Sequence, residues 1–92
     1  MYVDKYSEEI TRKLFKLKKK NSKNYEIVRK KMDWILLNPN HRYKYLHDNM
    51  KGINRIHLGH FVLTFTINHI NKIVSFEDFD HHDKIYFKKK SK

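Results

Sequence analysis

The spacing of apolar residues in the first forty positions is helical. Ile10, Leu14 and Leu17 recur at i, i+4 and i+7, so they form one stripe on a helix whose other faces are mostly Lys and Arg. A second stripe consists of Val28, Met32, Ile35 and Leu36. The interruption at Asn21 and Ser22 is short, so the two helices are expected to pack as an antiparallel hairpin.

The predicted boundaries of these helices come from capping residues. Ser7 is a candidate N-cap for the first helix, with two glutamates following it in the first turn, where the helix dipole favours negative charge. Ser22 or Asn24 is the candidate cap of the second helix. Asn38-Pro39 ends that helix, because proline disfavours helical geometry in the residue before it. Residues 2–5 precede both helices and are predicted to form a short first strand.

After residue 40 the apolar period changes to that of β-strands. Residues 54–58 alternate, with Ile56 and Leu58 on one face and Arg55 and His57 on the other. Residues 60–67 alternate as well, and their inward positions are Phe61, Leu63, Phe65 and Ile67. A turn at 68–71 leads to a strand over 72–79 with apolar residues on both faces, as in a central strand.

These elements define an α+β fold for a single domain over residues 1–92. The order is β-αα-βββ, in which an antiparallel two-helix hairpin packs on a mostly antiparallel four-stranded sheet that includes the N-terminal strand. Trp34, Tyr43 and Tyr45 are expected to fill the space between helices and sheet. His41, His47, His60 and His69 fall in or beside predicted turns and are expected at the surface.

The composition adds a strong positive charge to this picture. The chain has 21 Lys and Arg against 10 Asp and Glu, a formal net charge of +11. Such a surface attracts polyanions, which favours RNA, DNA or an acidic protein as partner. Without cysteine, the chain has no disulfide and no thiolate metal site. Charges interrupt every apolar run, so we expect a cytoplasmic protein with no membrane partner.

The acidic and histidine-rich segment at 77–83 raises the question of a metal site. Its possible ligands are Glu77, Asp78, Asp80, His81, His82 and Asp83. Zinc requires converging ligands, usually from separate chain segments, and adjacent histidines in an extended chain diverge. We therefore expect no metal here. The carboxylates would either raise the pKa values of the neighbouring histidines or bind lysines of the helices.

Two segments carry a resemblance to a known family. The helical hairpin and its Asn-Pro stop are followed by Leu46 and then by GINRIHLGHFVLTF at 52–65, and the sheet ends in FDHHDKIY at 79–86. This order of elements resembles the RelE/ParE toxin superfamily across nearly the whole chain. The resemblance implies a ribosome-dependent endoribonuclease of a toxin–antitoxin pair, which an acidic antitoxin silences. Its cofactor-free and metal-free reaction cleaves mRNA in the ribosomal A site, through attack of a ribose 2′-OH on the adjacent phosphate.

The resemblance also assigns candidate catalytic residues. The basic pair on the second strand of the family falls on Arg55 and His57, the residue after the sheet on His82, and the C-terminal tyrosine on Tyr86. One position departs from the family pattern, because Val62 stands where an arginine is often found. Val62 cannot bind a phosphate, so another cation, such as Arg55, would have to do so. The non-catalytic ParE branch, whose members poison DNA gyrase, has the same fold and is the alternative.

The chemistry of these four side chains agrees with metal-free RNA cleavage. Such cleavage needs a base for the 2′-OH, an acid for the 5′-oxygen and cations for the phosphorane. We expect His57 and His82 to share the proton transfers, Arg55 to hold the phosphate and Tyr86 to position a base. The plainer interpretation is the polar face of a half-exposed strand and a tyrosine packed on the sheet.

Basic residues outside this set are candidates for contact with RNA or the ribosome. They occur on the predicted helices and at the C-terminus, and either form a solvated surface or follow an RNA backbone. These candidate RNA-binding residues are Lys13, Lys16, Lys20, Lys23, Lys88, Lys89 and Lys90.

Overall fold

The computed structural model describes residues 1–46 and 52–90, with the side chains of 87–90 excepted. The helical and strand elements follow one another as β1 (Val3–Tyr6), α1 (Glu8–Lys20), α2 (Ser22–Leu37), β2 (Lys44–Tyr45), β3 (Asn54–Leu58), β4 (Phe61–Asn68), β5 (Ile73–His81) and α3 (His82–Lys90). The predicted α+β architecture, with a helical hairpin on a mostly antiparallel sheet, is confirmed. No helix within these ranges is both long enough and apolar enough to cross a membrane.

The sequence prediction is right for the N-cap of α1 and wrong for the N-cap of α2. Ser7 caps α1, and its Oγ accepts a hydrogen bond from the Ile10 amide at 3.0 Å. The predicted cap of α2, Ser22 or Asn24, is wrong. Asn21 ends α1 and also caps α2, with its Oδ1 accepting from the Asn24 amide at 3.1 Å. One residue serves both helices because the connection between them is so short.

The sheet has five strands in the order β1-β5-β4-β3-β2, so the predicted number of four is too small. β1 pairs with β5 in parallel, and the other pairs are antiparallel. The missed strand, β2, consists of Lys44 and Tyr45 only, and two residues are too few to show an alternating pattern. The strand predicted over 72–79 is indeed internal, between β1 and β4, and extends to His81.

Each face of the sheet is covered by different elements. The helical hairpin packs on one face, where the fully buried residues include Ile10, Met32, Ile35, Leu63, Phe65, Val74 and Phe76. On the other face, Ile85 of α3 packs with Val62 of β4 and with Leu46. Helix α3 was not predicted, because the short segment after residue 81 lacks a helical apolar stripe. It forms because the sheet provides Ile85 with a buried position.

Three aromatic residues that were predicted to be buried are substantially exposed. Phe61 is 40% exposed and stacks on Phe79 with ring centroids 5.2 Å apart, because it lies at the end of β4. Trp34 is 38% exposed and Tyr45 is 46% exposed. Of Trp34, Tyr43 and Tyr45, which were expected between helices and sheet, Tyr43 packs against the core, edge-to-face on Phe65 at 5.0 Å. Aromatic residue type alone therefore did not identify the core here.

Candidate functional site

The two basic residues of β3 lie on the face of the sheet opposite the helical hairpin. In the β3–β4 register, Arg55 is opposite Thr64 and His57 is opposite Val62. Directly opposed residues share a face, and Val62 packs beneath α3. The predicted alternation of β3 is confirmed, since Ile56 and Leu58 pack towards the hairpin core. The side chains of Arg55 and His57 therefore lie beside α3.

The guanidinium of Arg55 is held at the outer edge of the sheet. Its Nε donates to the carbonyl oxygen of Tyr45 in β2 at 2.8 Å. Its Nη1 lies 3.3 Å from Nδ1 of His57, a long contact between two partly exposed groups. The backbone contact fixes the Nε side and Nη1 lies towards His57, where an anion could bind the guanidinium.

Tyr86 of α3 completes this group. Its ring stacks near His57 with centroids 6.4 Å apart and an interplanar angle of 30°. Cζ of Arg55 lies 6.0 Å from the centroid of the same ring. Burial of the preceding residue, Ile85, fixes the position of the helix. The sequence prediction that the end of the sheet brings Tyr86 to the β3 pair therefore agrees with the geometry.

The environment of His57 favours its neutral form. Partial desolvation of the ring, followed by the positive charges of Arg55, His82 and Lys44, lowers the pKa of His57 below its ordinary value of 6.5. A neutral imidazole at pH 7 can accept a proton, as a general base requires. The contribution from His82 also means that the two histidines lie within electrostatic reach of one another.

His82 begins α3 and is oriented by its neighbour in the sequence. Its Nδ1 lies 3.0 Å from Oδ1 of Asp83. A carboxylate at Nδ1 holds an imidazole in one orientation and leaves Nε2 available for proton transfer. Because His82 and Tyr86 are four residues apart on α3, they lie on the same side of the helix.

The histidines at this end of the sheet converge, contrary to the prediction that neighbouring histidines would diverge. The rings of His81 and His82 stack with centroids 4.4 Å apart. His60, in the turn between β3 and β4, lies 6.1 Å from His81 and 6.5 Å from His82 by ring centroids. The transition from β5 to α3 at residue 82 turns the two adjacent side chains towards the same side.

Two cations that the sequence analysis did not select lie beside Arg55. A surface depression of about 250 Å³ is lined by His41, Arg42, Tyr43, Lys44, Arg55, Ile56 and His57. Lys44 is the direct cross-strand partner of Arg55, so both side chains lie on the same face. The alternation of basic and aromatic residues in RYKY (42–45) could have indicated that Arg42 and Lys44 face the same side as Arg55. β2 was too short to be recognised as a strand.

The position of the expected arginine is part of the protein core. Val62 is fully buried and packs with Ile85 and Leu46. An arginine at this position would have to be accommodated beneath α3. Positive charge on this face of the sheet comes instead from Arg55 and Lys44.

Two carboxylates of the 77–83 segment bind a helix lysine, which was one of the two predicted alternatives. Nζ of Lys13 donates to Oδ1 of Asp78 and to Oδ2 of Asp80, both at 2.8 Å, and lies 3.4 Å from Oε2 of Glu9. Burial opposes the charge of Lys13, but the two hydrogen bonds raise its pKa. Burial raises the pKa of Asp80. The hydrogen bonds from Lys13 and the His81 amide, together with the nearby positive charges, outweigh burial, so the pKa of Asp80 is lowered.

The candidate RNA-binding lysines consequently fall into separate groups. Lys13 is engaged with carboxylates inside the protein and offers little charge to an external ligand. Lys16, Lys20 and Lys23 are exposed on the helical hairpin. Lys88, Lys89 and Lys90 belong to α3, but their side chains lie outside the described residues.

Comparison with known proteins supports the resemblance inferred from sequence. No family model matches the chain. An uncharacterized protein of Methanosarcina mazei is 49% identical over 87 residues, covering 94% of this chain and all of the relative. A Methanocaldococcus jannaschii protein named "Putative toxin RelE4" is 43% identical over 91 residues, covering 98% of this chain and 96% of the relative.

Two solved structures have the same fold. The isolated E. coli RelE toxin superposes with a TM-score of 0.74 at 18% identity, covering 99% of this chain and 97% of the other. A chain of the E. coli RelBE toxin–antitoxin complex gives a TM-score of 0.72 at 20% identity, covering 88% of this chain and 96% of the other. Together with the 43% identity to the M. jannaschii relative, these similarities show that the chain belongs to the RelE family of toxins.

Proposed function

We propose that this toxin is a ribosome-dependent endoribonuclease that cleaves mRNA in the A site and thereby inhibits translation in the cytoplasm. The observation that carries the proposal is the grouping of Arg55, His57 and Tyr86 on one open face, with His82 within electrostatic reach. These side chains supply a base, an acid, a phosphate-binding cation and a stacking ring, which together suffice for the reaction.

The reaction begins with removal of the 2′-OH proton by neutral His57. The 2′-oxygen attacks the adjacent phosphate, and the bond to the 5′-oxygen of the next nucleotide breaks. His82, oriented by Asp83, donates a proton to that 5′-oxygen. The products are a 2′,3′-cyclic phosphate and a free 5′-hydroxyl, so protons and bonds balance without a further reactant.

The remaining residues position the RNA and stabilise the charge of the phosphorane. Arg55 gives up its long contact with Nδ1 of His57 and binds the phosphate, which frees this nitrogen to accept the proton. Lys44 provides a second cation beside Arg55 and substitutes for the arginine that Val62 replaces. Tyr86 stacks on a base. Exposed Lys16, Lys20 and Lys23, with Lys88, Lys89 and Lys90, contact ribosomal RNA.

The proposed partner outside the ribosome is an acidic antitoxin. The net charge of +11 favours such a partner electrostatically. The structural neighbour RelBE is itself a toxin–antitoxin complex. Binding across the face that carries Arg55 and His57 would block access of RNA to the site.

The burial of Val62 favours a second candidate function. A toxin without an arginine at this position could bind its target without cleaving RNA, as a ParE-like toxin acting on gyrase or as a blocker of a ribosomal site. This candidate predicts no RNA cleavage, and it predicts that His82→Ala stays as toxic as the wild type.

Primer extension on mRNA programmed into ribosomes distinguishes the two functions. Wild-type protein is expected to cut within the A-site codon, and His82→Ala is expected to lose about 100-fold or more in cleavage rate. His69→Ala is the matched control, because His69 is an exposed histidine that contacts Tyr2 rather than the site. Absence of any cut from folded wild-type protein, or equal cleavage by His82→Ala, would contradict the nuclease proposal.

A further inference from the structure

Three histidines from two chain segments form a cluster at the end of the sheet. Each of His60, His81 and His82 offers a ring nitrogen, and these three atoms lie within 4.8 Å of one another. His60 belongs to the β3–β4 turn, while His81 ends β5 and His82 begins α3. The backbone holds the segments together, because the His82 amide donates to the carbonyl oxygen of His60 at 2.9 Å.

We infer that this cluster binds one zinc ion through three imidazoles. Imidazole nitrogens are preferred zinc ligands, and three of them with an open fourth position form a stable tetrahedral site. Nitrogens bound tetrahedrally to zinc are about 3.4 Å apart. The rings of His60, His81 and His82 are exposed or half-buried, so small side-chain rotations can close the present separation.

Asp83 supports the two histidines that are adjacent in sequence. Its Oδ1 lies 3.0 Å from Nδ1 of His82, and its Oδ2 lies 3.7 Å from Nδ1 of His81. A carboxylate that accepts a hydrogen bond from Nδ1–H orients the ring and directs the lone pair of Nε2 to the metal. For His81 the ring proton would move to Nδ1, replacing the present bond from the Asp83 amide at 3.2 Å.

The zinc site shares His82 with the proposed nuclease site, so zinc binding is expected to affect cleavage. When zinc occupies Nε2 of His82, this nitrogen cannot carry the proton for the 5′-oxygen. Zinc binding is therefore inhibitory, and the toxin is active in its zinc-free form. This consequence depends on the proposed function, whereas zinc binding itself does not.

Metal binding is tested directly with the full-length protein. Titration with Zn²⁺ in a calorimeter, and with Co²⁺ followed by visible absorption, is expected to show one site with a tetrahedral Co²⁺ spectrum. His60→Ala is expected to weaken binding at least tenfold, and His69→Ala, an exposed histidine outside the cluster, is expected to bind like the wild type. No saturable binding, or equal binding by His60→Ala, would overturn the site.

Inhibition is tested by repeating the ribosome assay with one equivalent of zinc. Wild-type cleavage is expected to fall at least tenfold, while His60→Ala keeps its activity because His60 has no part in the proposed reaction. Equal zinc sensitivity of both proteins would overturn the inhibitory role. Cleavage that is absent even in zinc-free wild-type protein would contradict the nuclease proposal alone, and the titrations would still decide the metal site.

Discussion

The cluster around Lys13 and the cluster around Arg55 use charge in opposite ways. Lys13 is 19% exposed and is surrounded by the carboxylates of Asp78, Asp80 and Glu9. Neither Arg55 nor His57 forms an ion pair with a carboxylate among the described residues, and the charges that lower the pKa of His57 are positive. The first cluster satisfies its charges within the protein. The second retains a positive potential that an external anion can neutralise.

This difference explains how an acidic segment can lie beside a proposed RNA site. Asp78 and Asp80 would repel phosphate if they faced it, but Lys13 neutralises much of their charge. Asp83 instead contacts His82. Lys13 accordingly stabilises the fold, although the sequence had suggested that it binds RNA.

Of the two clusters, the Arg55 cluster should show the larger effect on cleavage when its guanidinium is removed. Arg55→Ala should lower the ribosome-dependent cleavage rate by about 100-fold, because the phosphorane loses its principal cation. The free energy of unfolding should fall by roughly 1 kcal/mol, because Arg55 is half-buried and its hydrogen bond to the Tyr45 carbonyl is lost. Both quantities are measured on the same preparation, by primer extension and by urea denaturation.

Arg12→Ala is the matched control for Arg55→Ala, because Arg12 is exposed on α1. It makes the same change in net charge at a distance from the β3 site. A comparable loss of cleavage in Arg12→Ala would mean that overall charge, rather than the position of Arg55, determines the rate.

Substitution of Lys13 is expected to lower the stability of the protein and to leave the cleavage rate nearly unchanged. Lys13→Met removes the ammonium from two carboxylates, one of which, Asp78, has a side chain only 5% exposed. We expect a loss of roughly 2 kcal/mol in the free energy of unfolding. The cleavage rate of the folded protein should remain within about twofold of wild type.

Urea denaturation measures the stability, and Lys16→Met, at an exposed position of the same helix, is the control. Equal midpoints for the two variants would argue against the Lys13 cluster as a stabilising element.

The smallest expected effect is a shift in the pH dependence of cleavage, which tests whether positive charge near His57 lowers its pKa. The proposed cleavage uses neutral His57 as base, so the rate is expected to fall as the pH drops through the pKa of His57, which lies below its ordinary value. Lys44 contributes to this lowering, so Lys44→Gln raises the pKa of His57 and moves the acidic limb of the rate profile to higher pH. The pH dependence of single-turnover cleavage measures this shift.

Lys5→Gln, at an exposed position of β1, is the control for the change in net charge. An acidic limb that stays in place in Lys44→Gln, or moves equally in Lys5→Gln, would exclude the local effect of Lys44.

Much of the fold follows from local patterns in the sequence. The stripe of Ile10, Leu14 and Leu17, the cap at Ser7 and the stop at Asn38-Pro39 are signals that act within a few residues, so the hairpin was predicted correctly. The alternation in β3 also placed Arg55 and His57 on one face. β2 and α3 were missed because both depend on contacts with distant strands rather than on their own periodicity.

The sequence by itself determined the α+β class, the basic charge and the chemical types of the candidate site residues, because these depend on residue identity and short-range spacing. Only the tertiary structure decided which charges meet. It paired Lys13 with carboxylates 65 and 67 residues away, set Lys44 beside Arg55, buried Val62 and brought His60 to His81 and His82. Such pairings depend on strand register and helix placement, which arise from burial of the whole core and have no signature in any single segment.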